Sequence, residues 1–188
     1  MKALDEIIDQ IYPIPEHSKK IFSKHFNKIK IKKGQLIIKA HQIENRIYFI
    51  NKGVVRAYSS TPEQDITFYF GEEKDVIISM NSYVNQTQGY ENIEALEDCL
   101  LYEIDLNILR QLYEEDIHIA NWGRKFAEQE LLKTEQRFID RLIGTSTDRY
   151  LKFIAKHPSL LQRVALGHIA SYLGITQVSL SRIRAEIK

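Results

Sequence analysis

The sequence predicts an α+β chain: a closed or sandwich-like antiparallel β unit, then a long helix, then a short helical pair. Between Lys30 and Ile104, β-branched and aromatic residues recur in short runs separated by turn residues, as strands do. From about Leu106 the apolar spacing changes to three, four and seven, the signature of a helix. Near the C-terminus an alanine and a glycine stand where two short helices would cross and turn.

One helix or two are expected within Leu4 to Phe26. The strand runs are Ile31 to Ala40, Ile47-Tyr48-Phe49-Ile50, Val54-Val55-Arg56-Ala57-Tyr58, Ile66-Thr67-Phe68-Tyr69-Phe70 and Leu100-Leu101-Tyr102-Glu103-Ile104. Asn51-Lys52-Gly53 reads as a tight turn, with Asn51 or Gly53 taking positive φ, and so predicts a hairpin. In the long helix Ala120, Ala127, Leu131, Thr134 and Phe138 form one stripe, and Phe126, Leu132 and Ile139 an adjoining one. Two stripes suggest two partners: the β unit and the same helix of a second subunit. The rival reading buries both stripes within one chain. Gly144-Thr145-Ser146 breaks the helix with a glycine stop and a Ser/Thr cap, and marks a hinge before the segment Asp148 to Lys156, which His157-Pro158 closes. The organisation expected is therefore residues 1–110 as the β unit, 111–143 as a dimerisation helix and 144–188 as a helical pair.

Composition narrows the function classes. Charge is nearly balanced, at a formal net +1, as in ordinary globular chains. No run approaches the roughly 18 apolar residues of a membrane span, and the opening Met1-Lys2-Ala3-Leu4-Asp5-Glu6 lacks a secretion-signal layout. A cytoplasmic protein without a membrane partner is expected. The single cysteine, Cys99, rules out an internal disulfide framework and a four-thiolate cluster, and is read as a small buried apolar residue. Charge is unevenly placed: Gly144 to Lys188 holds seven Lys/Arg against two acids, leaving the rest slightly acidic. A C-terminal piece that meets a polyanion would look like this, and so would chance clustering on a solvated face.

Val164 to Arg184 carries the strongest signal. Ala170 is small where the helices cross, Gly174 ends the first, and Thr176 caps the second. Leu173, Ile175, Leu180, Ile183 and Ile187 are expected to turn inward, sending Val178, Ser181, Arg182 and Ala185 outward with Gln177 at the leading end. That face suits the DNA major groove, because Gln and Arg form bidentate hydrogen bonds with adenine and guanine edges and Val178 can meet a thymine methyl. Thr176, Gln177, Val178, Ser179, Ser181, Arg182, Arg184 and His168 are the candidate DNA-contacting residues. Ser179, Arg184 and His168, with Arg149, Lys152 and Arg163, are assigned to phosphates, which position a protein without reading sequence.

Tyr48-Phe49-Ile50-Asn51-Lys52-Gly53-Val54-Val55-Arg56 resembles the signature hairpin of cyclic-nucleotide-binding-type β-rolls, and Glu94-Ala95-Leu96-Glu97-Asp98 a later roll strand. With the long helix and the terminal pair, the chain is similar to Crp/Fnr transcription regulators over nearly its whole length. The resemblance implies an antiparallel β-roll (double-stranded β-helix) sensor, a long dimerisation helix and a C-terminal helix-turn-helix. It also implies a homodimer held through Ala120, Ala127, Leu131, Thr134 and Phe138, double-stranded DNA as partner, and RNA polymerase as a further candidate partner.

Departures from the family pattern limit what carries over. Relatives that bind cyclic AMP hold its phosphate with an arginine in an Arg-Ser/Thr-Ala cassette, whereas Ile78 to Tyr83 and Gln88 to Asn92 contain no arginine, and Glu91 falls near the anion position. Cyclic AMP in the usual mode is not expected, and no cofactor, metal ligand or effector-pocket residue is assigned. None of His17, His25, His41, His118, His157 and His168 stands out as a haem ligand. Any wing would come from Ser159 to Val164. A catalytic reading finds no nucleophile–base spacing, phosphate-cradling glycine loop or metal-ligand cluster, so no catalytic residue is named and a non-enzyme is expected. The remaining alternative is a ligand-binding or scaffolding module whose helix pair contacts protein.

Overall fold

The computed structural model describes residues 2–187, so Met1 and Lys188 lie outside the described residues. Two short helices, α1 (Lys2–Ile11) and α2 (Glu16–Ser23), lead into β1 (Asn27–Ile31), β2 (Leu36–Ile38), β3 (Arg46–Lys52), β4 (Val55–Ser60), β5 (Asp65–Gly71) and β6 (Val76–Ile77). Then come helix α3 (Met80–Asn85), β7 (Asn92–Ala95) and β8 (Cys99–Asp105). Helices α4 (Leu106–Glu115), α5 (Ile117–Leu142), α6 (Ser146–Lys156), α7 (Leu160–Arg163), α8 (Leu166–Leu173) and α9 (Gln177–Glu186) complete the described chain.

The strands form two four-stranded sheets, ordered β1-β8-β3-β6 and β2-β7-β4-β5, with every pairing antiparallel. This is the expected α+β class with a β-roll. Strand β3 explains its own uninterrupted apolar run. Successive side chains point to opposite faces, and both faces are covered. Tyr48 and Ile50 enter the core between the sheets with Ile38, Val55, Ile93 and Leu101, while Ile47 and Phe49 join a second core under α1, α2, α4 and the start of α5.

Two strand-level expectations are corrected. Asn51 to Gly53 does not close a hairpin: β3 pairs with β6 and β8, whereas β4 pairs with β5 and β7, so the turn is a corner between sheets. Gly53 does adopt positive φ, +116°, and a Cβ there would stand 2.5 Å from Cys99 Sγ. Sequence spacing identified the conformation but not which strands it joins. The run Ile31 to Ala40 is likewise two strands, because the chain turns at Gly34, where φ is +80°. Cys99 is buried as expected, and burial pushes its thiol up to about 11.

The helical stretch after Leu106 is also divided. Asp116 interrupts it, and its carboxylate accepts from the His118 and Ile119 N–H groups to cap α5. Within α5, Ile119, Trp122 and Phe126 are buried against the β unit; beyond Phe126 no described residue of this helix is. Leu131 is 71% exposed and Phe138 62%, and Leu132 and Leu142 are exposed beside them. The reading in which both stripes bury inside one chain is therefore not the arrangement found. Ala120 is half-buried, whereas Ala127, Leu131, Thr134 and Phe138 are open.

Candidate nucleic-acid interface

Each end of the helical pair is specified locally. Gly144, at φ +93°, ends the long-helix segment, and Thr145 and Asp148 then form a reciprocal capping box at the start of α6. Gly174 sits in the left-handed region at φ +68°, donating its N–H to Ala170 and Ser171 carbonyls to close α8. Thr176 Oγ1 accepts from Ser179 N at 3.1 Å and starts α9. Between these helices Ile169, Ala170, Leu173, Leu180 and Ile183 are buried in a third core with Tyr150, Phe153, Leu160 and Val164, and Ile175 packs at its edge. Ile187, expected inward, is 40% exposed: it follows the last turn of α9, past the wedge. Ser159 to Val164 contains the short helix α7 instead of wing strands.

The leading face of α9 is open. Gln177, Val178, Ser181, Arg182 and Ala185 are exposed. Ser179 is also exposed, with its hydroxyl on that of Thr176, and Arg184 is half-buried. His168 goes elsewhere. Its Nδ1 lies 2.7 Å from Arg56 Nη1, so it faces the β-roll and is not presented beside the α9 surface.

That contact belongs to a wider seam between α8 and the roll. Thr67 N donates to Ser171 Oγ (2.9 Å), which donates to Asp65 O (3.0 Å). Phe70 packs against Phe153 and Tyr172. Arg56, only 5% exposed, pairs with Glu94 and Asp65 and stacks on Tyr58. Arg163 forks onto Glu73 and also bonds Glu97, and its guanidinium holds the Glu73 carboxyl down to about 2. His157 and Ser159 both meet Glu72. Arg149 is bonded to the Leu173 and Gly144 carbonyls, and Lys152 to Asp140. Three of the cations assigned to phosphates thus serve intramolecular partners here. Only Arg163 is held by acids far away in sequence, 90 and 66 positions off, whereas Lys152 pairs with Asp140 twelve positions earlier and Arg149 meets carbonyls.

The seam carries a pH dependence of stated sign. Burial, and then the Arg56 charge, lower the His168 pKa below its usual 6.5. Arg56 Nη1 is an obligate donor, so Nδ1 must accept and the imidazole must be neutral. The stabilisation is present in full above about 6.5 and is lost as pH falls towards the lower folded value. Hydrogen exchange of α8 amides, corrected for intrinsic rate, is expected to accelerate severalfold between about pH 7.5 and 5.5, and His168→Gln to flatten that change. An equal acceleration in the variant would assign it to another group.

Residues 28–116 match the family model of the cyclic nucleotide-binding domain. FixK2 from Bradyrhizobium japonicum superimposes with a TM-score of 0.76 at 17% identity, covering 86% of this chain and 84% of that one. The c-di-GMP-responsive global regulator CLP of Xanthomonas campestris gives 0.72 at 16% identity, over 92% and 91% of the two chains. A protein from Eubacterium rectale described as a transcriptional regulator of the Crp/Fnr family gives 0.71 at 18%, over 93% and 85%. The chain has the Crp/Fnr fold. No curated protein matches it in sequence. No described helix is long and apolar enough to cross a membrane.

Proposed function

We propose that the chain is a dimeric, sequence-specific DNA-binding regulator whose β-roll responds to an effector other than cyclic AMP. The observation that carries this reading is the exposed face of α9: Gln177, Val178, Ser181 and Arg182 stand open while the opposite side of the helix is buried. A helix set out in this way can enter a major groove, and Gln177 and Arg182 bring hydrogen-bonding capacity to base edges. Ser179 and Arg184 are assigned to phosphates, with Thr176 in the same contact set. His168 is left out of the contact set because it is engaged with Arg56. The open stripe of Ala127, Leu131, Thr134 and Phe138 supports a second copy of α5 as partner, with Ala120 at its start. A two-fold dimer would then place two α9 helices on half-sites about 34 Å apart. The same reading makes the chain a cytoplasmic non-enzyme with RNA polymerase as a further partner.

Fluorescence anisotropy against genomic fragments that include the upstream region of the chain's own gene, at two salt concentrations, tests the proposal. Selected fragments are expected to bind with a steep salt slope from counterion release, which contact with a protein partner need not show. Arg182→Ala is expected to lose about 1–3 kcal/mol and relax base preference at one position. Equal affinity for all fragments, unaltered in the variant, would remove the assignment of α9 as the reading helix.

A further inference from the structure

A cavity of about 960 Å³ opens between the β-roll, α5 and the C-terminal helices. This is a volume suited to a drug-sized molecule. Its roll side is mostly apolar and aromatic, with Phe68, Tyr69, Tyr90, Ile93 and Met80 on the lining and Leu131 contributed by α5. Glu91 also lines it and is only 5% exposed. Glu91 Oε2 accepts from Tyr90 N at 3.0 Å, but Oε1 has no hydrogen-bond partner among the described residues. Gly89 makes room for it: a Cβ at that position would stand 2.8 Å from Oε1. A buried oxygen without a donor is costly, and a carboxylate oxygen doubly so.

These residues do not fit a cyclic nucleotide phosphate, which would bring a second anion to a buried carboxylate. Cations do reach the lining, but from the helices and not from the roll side that holds Glu91: Arg137 lies over the Tyr69 ring, Lys152 pairs with Asp140, Arg149 bonds backbone carbonyls, and Arg141 and Lys156 line the same helical side. We infer that the cavity binds an amine or alcohol with an aromatic or aliphatic body, its ammonium or hydroxyl donating to Glu91 Oε1. This deepens the regulator reading by naming the class of its effector, while the binding step itself requires no DNA.

Ligand-detected NMR titration of the full chain near pH 7 with tryptamine, tryptophol, indole-3-acetate and cyclic AMP tests it. The three indoles share one body and differ in head group. Tryptamine is expected to bind tightest and tryptophol next, each saturably, with tryptamine at least tenfold ahead of indole-3-acetate and of cyclic AMP. Glu91→Gln should bring tryptamine to within about twofold of tryptophol. Met80→Trp, at a half-exposed cavity position, should weaken all the indoles alike and keep their order. The inference is overturned if no indole saturates, if indole-3-acetate or cyclic AMP equals tryptamine, or if either folded variant leaves tryptamine affinity unchanged. Because no outcome involves DNA, loss of this inference leaves the α9 proposal standing, and a protein that binds tryptamine but no DNA fragment loses only the latter.

Discussion

Replacing both Leu131 and Phe138 with glutamate is expected to turn a dimer into a monomer at micromolar concentration and to weaken DNA binding at least a hundredfold. The two residues lie seven apart on α5, hence on one helical face, and both are exposed in the single chain. In a two-fold interface each substitution occurs twice, so four new carboxylates would meet across the seam and lose hydration against one another. The monomer itself should be little affected, because exposed substitutions usually change stability by within about 0.5 kcal/mol. DNA affinity falls because a second, tethered recognition helix adds roughly 10²–10⁴ in avidity when both half-sites are reachable. Sedimentation velocity and anisotropy on the same preparations check both parts. A wild-type monomer, or a variant that remains dimeric, would refute the assignment of the α5 stripe.

Trp122→Ala is expected to cost about 3–5 kcal/mol, the range for truncating a large buried aromatic. Trp122 is fully buried, and its ring stacks with Phe49 of β3 and Phe126 of α5 while meeting the edge of Phe22 of α2. Its indole N–H donates to the Ile8 carbonyl at 3.0 Å, tying α5 to α1. One side chain therefore joins the roll, the N-terminal helices and the long helix. Truncation leaves a cavity and removes one of the two donors on the Ile8 carbonyl, which keeps the Tyr12 N–H. Trp122→Phe retains much of the packing and should lose less: the interval from wild type to this variant reports the hydrogen bond and the lost indole volume, and the interval from phenylalanine to alanine reports packing alone. Urea unfolding followed by circular dichroism measures all three proteins. A loss below about 1 kcal/mol for the alanine variant would mean that the surrounding rings collapse to fill the space.

The fold was legible where its cause lies within a few residues. Gly144, Gly174 and Gly53 all take the positive φ that invites glycine, Thr145 and Thr176 accept from the N–H groups they were placed to cap, and the α9 periodicity sends Val178 and Arg182 outward. Signals spanning longer separations failed in instructive ways. The turn at Gly53 was visible, but the choice between a hairpin and a sheet corner depends on β6 and β8, which arrive later in the chain. His168 looked like a phosphate ligand because nothing near it in sequence shows that Arg56, 112 positions earlier, comes within hydrogen-bond distance.

By itself the sequence determined the caps, the left-handed turns, the apolar stripes and the outward face of α9. Those depend on steric limits at single residues and on helical or strand period, both of which are written locally. Only the tertiary structure decided that Arg163 is held by Glu73 and Glu97, that half of α5 stays uncovered, and that Glu91 lines an apolar cavity with one oxygen unpartnered. Burial and charge pairing are properties of groups brought together by chain closure. No spacing along the chain encodes their distances.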